Sequence, residues 1–151
     1  MKRTLLALLA LGALLAGSVA TVPVAAMTHG QAGPTVLHAT LRQQAFSGVT
    51  GTATVSYDAA SKMSTVKVTV KGLEPSSSHP EHIHAGRCTS NGPVLVALNT
   101  IKATAKGTGV ATTRFKGSVM HKAAYINVHM GPGLERTQFT VLACGELHTG
   151  M

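Results

Sequence analysis

His82 and His84 flank one β-branched residue in the run His79-Pro80-Glu81-His82-Ile83-His84. On an extended strand, residues i and i+2 point to the same face. The two imidazoles then stand about 7 Å apart at the backbone, close enough to converge on one metal ion. A third imidazole, His129, ends the stretch Ala124-Tyr125-Ile126-Asn127-Val128-His129. Taken singly, His82 and His84 read as the polar face of a sheet, and His129 as a hydrogen-bonded edge histidine. Taken together, a pair at i, i+2 and a third from another strand make a three-imidazole set that suits copper or zinc.

The remaining chemistry is thin. Eight histidines are present, but His29 and His148 lie near the ends of the chain and read as solvated, His38 sits on the first strand, and His121 follows a turn. No Ser occupies a Gly-x-Ser-x-Gly elbow. Past the N-terminal region the acids are Asp58, Glu74, Glu81, Glu135 and Glu146, and no two are neighbours, so a carboxylate pair has no candidate. The single Asp also leaves a zinc site that uses Asp poorly supplied.

The two cysteines, Cys88 and Cys144, allow one bridge with no ambiguity of connectivity. It would close a loop of 56 residues and stabilise the fold by about 4 kcal/mol on the loop-entropy model. An oxidising compartment agrees with the N-terminus. Lys2 and Arg3 precede an apolar run from Leu5 to Ala16, followed by small-residue cleavage sites at Ser18-Val19-Ala20 and Val24-Ala25-Ala26. The run is short for a membrane span, which needs about 20 apolar residues. The reading is a signal peptide over 1–26, cleaved after about residue 20 or 26, a flexible leader over 27–34, and one domain over 35–148. The mature chain is expected to be secreted or periplasmic, with no membrane span.

The net charge of +8 falls to +6 once Lys2 and Arg3 are removed. The basic residues are scattered, and five aromatics with no Trp give no platform for stacking bases, so nucleic acid is not an expected partner.

The elements that must position the histidines are strands. Thr35 to Arg42, Gly51 to Tyr57 and Ser64 to Gly72 alternate, with Val66, Val68 and Val70 on one face and a turn over Asp58 to Lys62. Glu74 to His79 reads as a loop and Glu81 to Ala85 as a short strand. Gly107 to Phe115, Ala124 to His129 and Phe139 to Leu147 complete the set, with a Gly131-Pro132-Gly133 turn between the last two. No segment keeps helical periodicity. Seven to eight short strands with Gly-rich turns predict an all-β, antiparallel Greek-key barrel or sandwich.

With these motifs in this order, the chain resembles the copper/zinc superoxide dismutase superfamily and is similar also to CHRD domains. The resemblance runs from about Thr35 to Leu147. It rests on the order and spacing of Val70-Lys71-Gly72-Leu73, His79-x-x-His82-x-His84, Cys88-Thr89-Ser90-Asn91-Gly92-Pro93, Asn127-Val128-His129 and Leu142-Ala143-Cys144-Gly145. It implies that His82, His84 and His129 hold one copper ion per chain and act in catalysis. It implies that His79 braces the site from outside the ligand set, and that Cys88 and Cys144 form the family's bridge.

Departures from the dismutase pattern narrow the expected chemistry. That pattern continues Gly-Pro-His, and its His bridges copper to zinc; this chain has Gly92-Pro93-Val94. The zinc loop is missing, because Val94 to Asn99 leads straight into the next strand. The family's substrate-guiding Arg is Val141 here. Copper without zinc, and weak or absent superoxide dismutation, is the expectation. Positive charge would steer superoxide or another small anion, with Arg87 or Arg136 near enough to help. The other expectation is a non-enzymatic CHRD-like surface or adhesion module, a direction in which the missing His and Arg already lean.

Overall fold

Strict alternation builds the largest wall of the molecule. In the computed structural model, which describes residues 35–150, β1 (Thr35–Gln43), β2 (Thr50–Asp58) and β3 (Met63–Lys71) form an antiparallel meander. Leu37, Ala39 and Leu41, Ala53 and Val55, and Val66, Val68 and Val70 turn to one side and are buried. The residues between them are largely Thr, Lys and Arg facing water, as period-two patterning with one wet face requires. Asp58 fixes the β2–β3 turn by accepting from the Ala60 N–H (2.9 Å) and the Ser61 hydroxyl (2.7 Å).

The chain continues through β4 (Ser78–His79), β5 (Glu81–Ala85), β6 (Val94–Ala97), β7 (Ile101–Lys102) and β8 (Thr108–Lys116). It ends with β9 (Ala124–His129), β10 (Val141–Glu146) and β11 (His148–Thr149). One antiparallel sheet runs β6-β5-β9-β10-β1-β2-β3-β8, with β11 beside β1, while β4 and β7 pair as a separate ribbon. The eight strands of that path agree with the expected seven to eight. The connections that carry β3 to β5, and β8 to β9, pass between the two ends of the sheet, the crossing expected of a Greek key.

The sheet curls into a half-barrel whose inner face is the core. Ile83 on β5 with Ile126 and Val128 on β9 close over Leu41, Val55 and Val68 from the wall. The edges β6 and β8 do not pair. Asn99 links them instead: its N–H donates to the Thr113 hydroxyl (2.7 Å), and its side chain donates to the Thr112 carbonyl (2.8 Å).

Several boundaries differ from the sequence reading. Val94–Ala97 is a strand, not a bare connection. Ser78–His79 pairs rather than looping freely, and β7 and β11 were not foreseen, because a two-residue pairing leaves no periodicity to read. The last long strand starts at Val141. Phe139 belongs instead to a single 3-10 turn over Arg136–Phe139, the only helical piece among the described residues. Among those residues no helix is long and apolar enough to cross a membrane. The expected signal peptide, the leader and His29 lie outside the described residues.

Candidate metal centre

β5 and β9 pair in a register that sorts their side chains cleanly. Glu81 faces Val128, His82 faces Asn127, Ile83 faces Ile126, and His84 faces Tyr125 across the ladder. Alternation therefore puts Ile83, Ile126 and Val128 into the core and sends His82, His84, Tyr125, Asn127 and His129 to the other face. That second face is not open water. Glu81 to His84 and all six residues of β9 are buried.

Two pieces of chain provide the cover, and each is tied to a ligand candidate. The loop after β5 returns on itself: the Ala85 N–H donates to the Pro93 carbonyl (3.0 Å), and the Tyr125 hydroxyl donates to the Ser90 carbonyl (2.8 Å). His84 Nδ1 donates to the Gly92 carbonyl (2.8 Å). A side chain at Gly92 would overlap the Ala85 carbonyl oxygen, so the loop can approach this closely only with glycine there. The segment after β9 folds back through Met130 and Gly131 N–H groups bonded to the Thr140 and Gln138 carbonyls. This brings the Phe139 carbonyl within 2.7 Å of His129 Nδ1. The Cys88–Cys144 disulfide, with Cα atoms 5.9 Å apart, ties the first loop to β10.

These contacts fix protonation. A backbone carbonyl only accepts, so Nδ1 of His84 and of His129 must carry the proton, and Nε2 keeps its lone pair. Both Nε2 atoms, and Nδ1 of His82, are buried without a hydrogen-bond partner. The nitrogens that the three rings offer lie within 4.8 Å of one another. An ion with imidazole nitrogens at about 2.0–2.1 Å sets them about 3.3–3.6 Å apart, so small ring rotations complete the fit. The rings already stand edge-on: His82 is 5.6 Å from His84 at 82° and 5.3 Å from His129 at 65°, measured between centroids. His84 also stacks on Tyr125, with centroids 5.0 Å apart.

Burial favours the neutral form of His82 and of His129. The His82 pKa is lowered by desolvation first, and then by the charges that His129 and His84 would carry. The His129 pKa is lowered by desolvation, against the opposing pull of the Phe139 carbonyl. A neutral imidazole is the form that binds a metal.

His79 sits apart from the three. It is buried, its Nδ1 donates to the carbonyl of His129 (2.9 Å), and its Nε2 lies against the Ser77 hydroxyl. It thus grips the backbone that carries His129. His38, His121 and His148 are exposed and outside the cluster.

A cleft of about 510 Å³ opens beside the cluster, lined by His84, Asn127 and His129 together with Asn91, Gly92, Pro93, Val94, Tyr125, Phe139 and Val141. None of these side chains carries a fixed charge. Arg87 and Arg136 are exposed and do not line the cleft. The rim is apolar, with Val94 52% and Phe139 53% exposed. Sequence reading missed Tyr125, Asn127, Gly92 and Phe139 as parts of the site. The first two had a signal, since Tyr125-x-Asn127-x-His129 puts three polar residues on one face of an otherwise apolar strand. The two loop carbonyls had none.

Compared with known proteins, the chain matches the CHRD domain family model over residues 12–133. The match spans His82, His84, His129 and Cys88 and ends before β10 and Cys144. No curated protein matches the chain. The CHRD half of the resemblance is thereby supported, and the dismutase half is not.

Proposed function

Since this chain belongs to the CHRD domain family, we propose that it is a metal-binding CHRD module, working by binding rather than by superoxide turnover. One observation carries the reading: three buried imidazole nitrogens converge with no partner in the protein. Leaving such groups unpaired is unfavourable unless something outside the chain satisfies them. His82 Nδ1, His84 Nε2 and His129 Nε2 would hold one ion per chain. Copper is the proposed ion, because a neutral three-imidazole set leaves an open position and suits it. Among the described residues His82, His84 and His129 form the one group placed to hold a metal ion, and Asp58 is committed to the β2–β3 turn, so a second ion, zinc, is not proposed.

Bound copper would supply a one-electron redox centre. What the chain itself does is orient the rings through Gly92 and Phe139, brace His129 through His79, and exclude bulk water. The uncharged cleft, with Val94 and Val141 where the dismutase pattern has His and Arg, favours binding without anion turnover. The bridge between Cys88 and Cys144 is compatible with an exported protein, which is where we propose that it works.

Metal analysis of the Cu(II)-loaded mature protein tests the site. One bound copper is expected, lost in His82→Ala and in His129→Ala; unchanged stoichiometry in both variants sinks it. Superoxide consumption by the loaded protein tests the second half. A rate no faster than that of metal-free protein supports the module, whereas a rate that depends on His82 and His129 returns the dismutase reading.

A further inference from the structure

We propose that Asn127 is a fourth donor of this centre, its carboxamide Oδ1 completing a set of three imidazole nitrogens and one oxygen. The proposal rests on the three-histidine reading and extends it. Asn127 lies directly across the ladder from His82 and two residues before His129, on the face that carries both. It is 4% exposed, and it lines the same cleft as His84 and His129. Its Oδ1 is buried without a hydrogen-bond partner, as are His82 Nδ1, His84 Nε2 and His129 Nε2.

The chemistry of these four atoms narrows what can satisfy them. The two Nε2 atoms are lone pairs by the tautomer argument, and an amide oxygen only accepts. His82 Nδ1 makes no hydrogen bond to Oδ1 across the ladder. These four atoms make no hydrogen bond to one another or to any other group of the protein. A cation satisfies all of them together. The neighbouring polar group Tyr125 is already committed to the Ser90 carbonyl.

An added oxygen donor has a consequence for selectivity. Cu(II) and Zn(II) favour four or more nitrogen and oxygen donors, whereas Cu(I) is content with three imidazoles. Asn127 then biases the site toward the divalent ion and fills the position that the three rings leave open.

The test compares wild type, Asn127→Val and Asn127→Asp by chelator competition with Cu(II) and, separately, with Cu(I), and by electron paramagnetic resonance of the Cu(II) forms. In Asn127→Val the Cu(II) affinity is expected to fall at least about tenfold, the size seen when supporting groups of metal sites are removed, with a changed Cu(II) spectrum. Its Cu(I) affinity stays within about threefold. Asn127→Asp keeps the oxygen and binds Cu(II) at least as tightly as wild type. Equal affinities and spectra in wild type and Asn127→Val overturn the assignment. So does an equal loss of both copper ions, which marks a merely structural residue. If Asn127→Val does not fold, weaker Cu(II) binding by Asn127→Asp overturns it. A wild type that binds no ion overturns the three-histidine centre and this proposal together, whereas binding that His82→Ala abolishes and Asn127→Val leaves unchanged overturns this proposal alone.

Discussion

The β1-β2-β3-β8 wall and the β5–β9 pair are built from the same kind of ladder and handle polar residues in opposite ways. On the wall every second residue meets water. Across its strands run rows such as Thr40, Thr52 and Thr69, or His38, Thr54, Lys67 and Thr112, and these polar groups need nothing from the protein. On β5 and β9 both faces are covered, so each polar side chain must find a partner or lack one at a cost. His84, His129 and Tyr125 find loop carbonyls with one atom each. His82 Nδ1, His84 Nε2, His129 Nε2 and Asn127 Oδ1 find none. Where a wet face hides the meaning of a polar residue, a buried one exposes it.

One residue breaks this sorting and gives the largest expected effect. Glu81 shares the core side of β5 with Ile83, is 1% exposed, and leaves Oε2 unpaired. Burial pushes its pKa up from 4.5 to about 8. Between those values the unfolded carboxyl is ionised while the folded one keeps its proton. Stability must therefore fall as pH rises from about 4.5 to about 8, by several kcal/mol in total, and level off outside that window. His82 and His129 act in the opposite sense. Their folded pKa values are lowered, so their contribution is lost as pH drops below 6.5. Chemical denaturation of the metal-free protein across pH 4.5–9 should show a maximum where these trends cross, and Glu81→Gln should remove the alkaline decline. A decline that persists in the variant would place its source elsewhere.

The next effects set the two faces of one strand against each other. Ile83→Ala empties the core side of β5 and should cost about 2–5 kcal/mol in urea unfolding. His84→Ala on the opposite face should cost far less in the metal-free protein, because an unpaired buried nitrogen leaves with it. Equal losses would mean that the two faces do the same work. Replacing Cys88 and Cys144 by Ala should cost about 2–4 kcal/mol by the same measurement. It should also loosen the loop that holds His84, read as faster exchange of the Ala85 amide. On the wall, Thr54→Val should stay within about 0.5 kcal/mol of wild type, since its side chain faces water.

The contrast also explains what could be read from the chain alone. β1, β2, β3 and β8 were legible to within a residue or so, because one wet and one dry face write a period of two into the sequence. The three histidines were legible because i, i+2 on a strand has one geometric meaning and His129 ends a second strand. Asn127 was overlooked because Asn-Val-His carries no metal spacing by itself; only the register opposite His82 gives it a role. The Gly92 and Phe139 carbonyls are backbone groups of loops, so no side-chain pattern announces them. β6 was hidden because its edge position gives Val94–Ala97 no clean alternation of burial.

The centre depends on which nitrogen each ring offers, and nitrogen-15 correlation spectra of the imidazoles read that directly. In metal-free protein near pH 8, His84 and His129 should both show a protonated Nδ1 and a bare Nε2. One equivalent of Cu(I), which is diamagnetic, should then shift His82 Nδ1, His84 Nε2 and His129 Nε2 together, leaving the His38, His121 and His148 rings unmoved. Opposite tautomers at His84 and His129, or a titration in which those three nitrogens stay still, would contradict the centre.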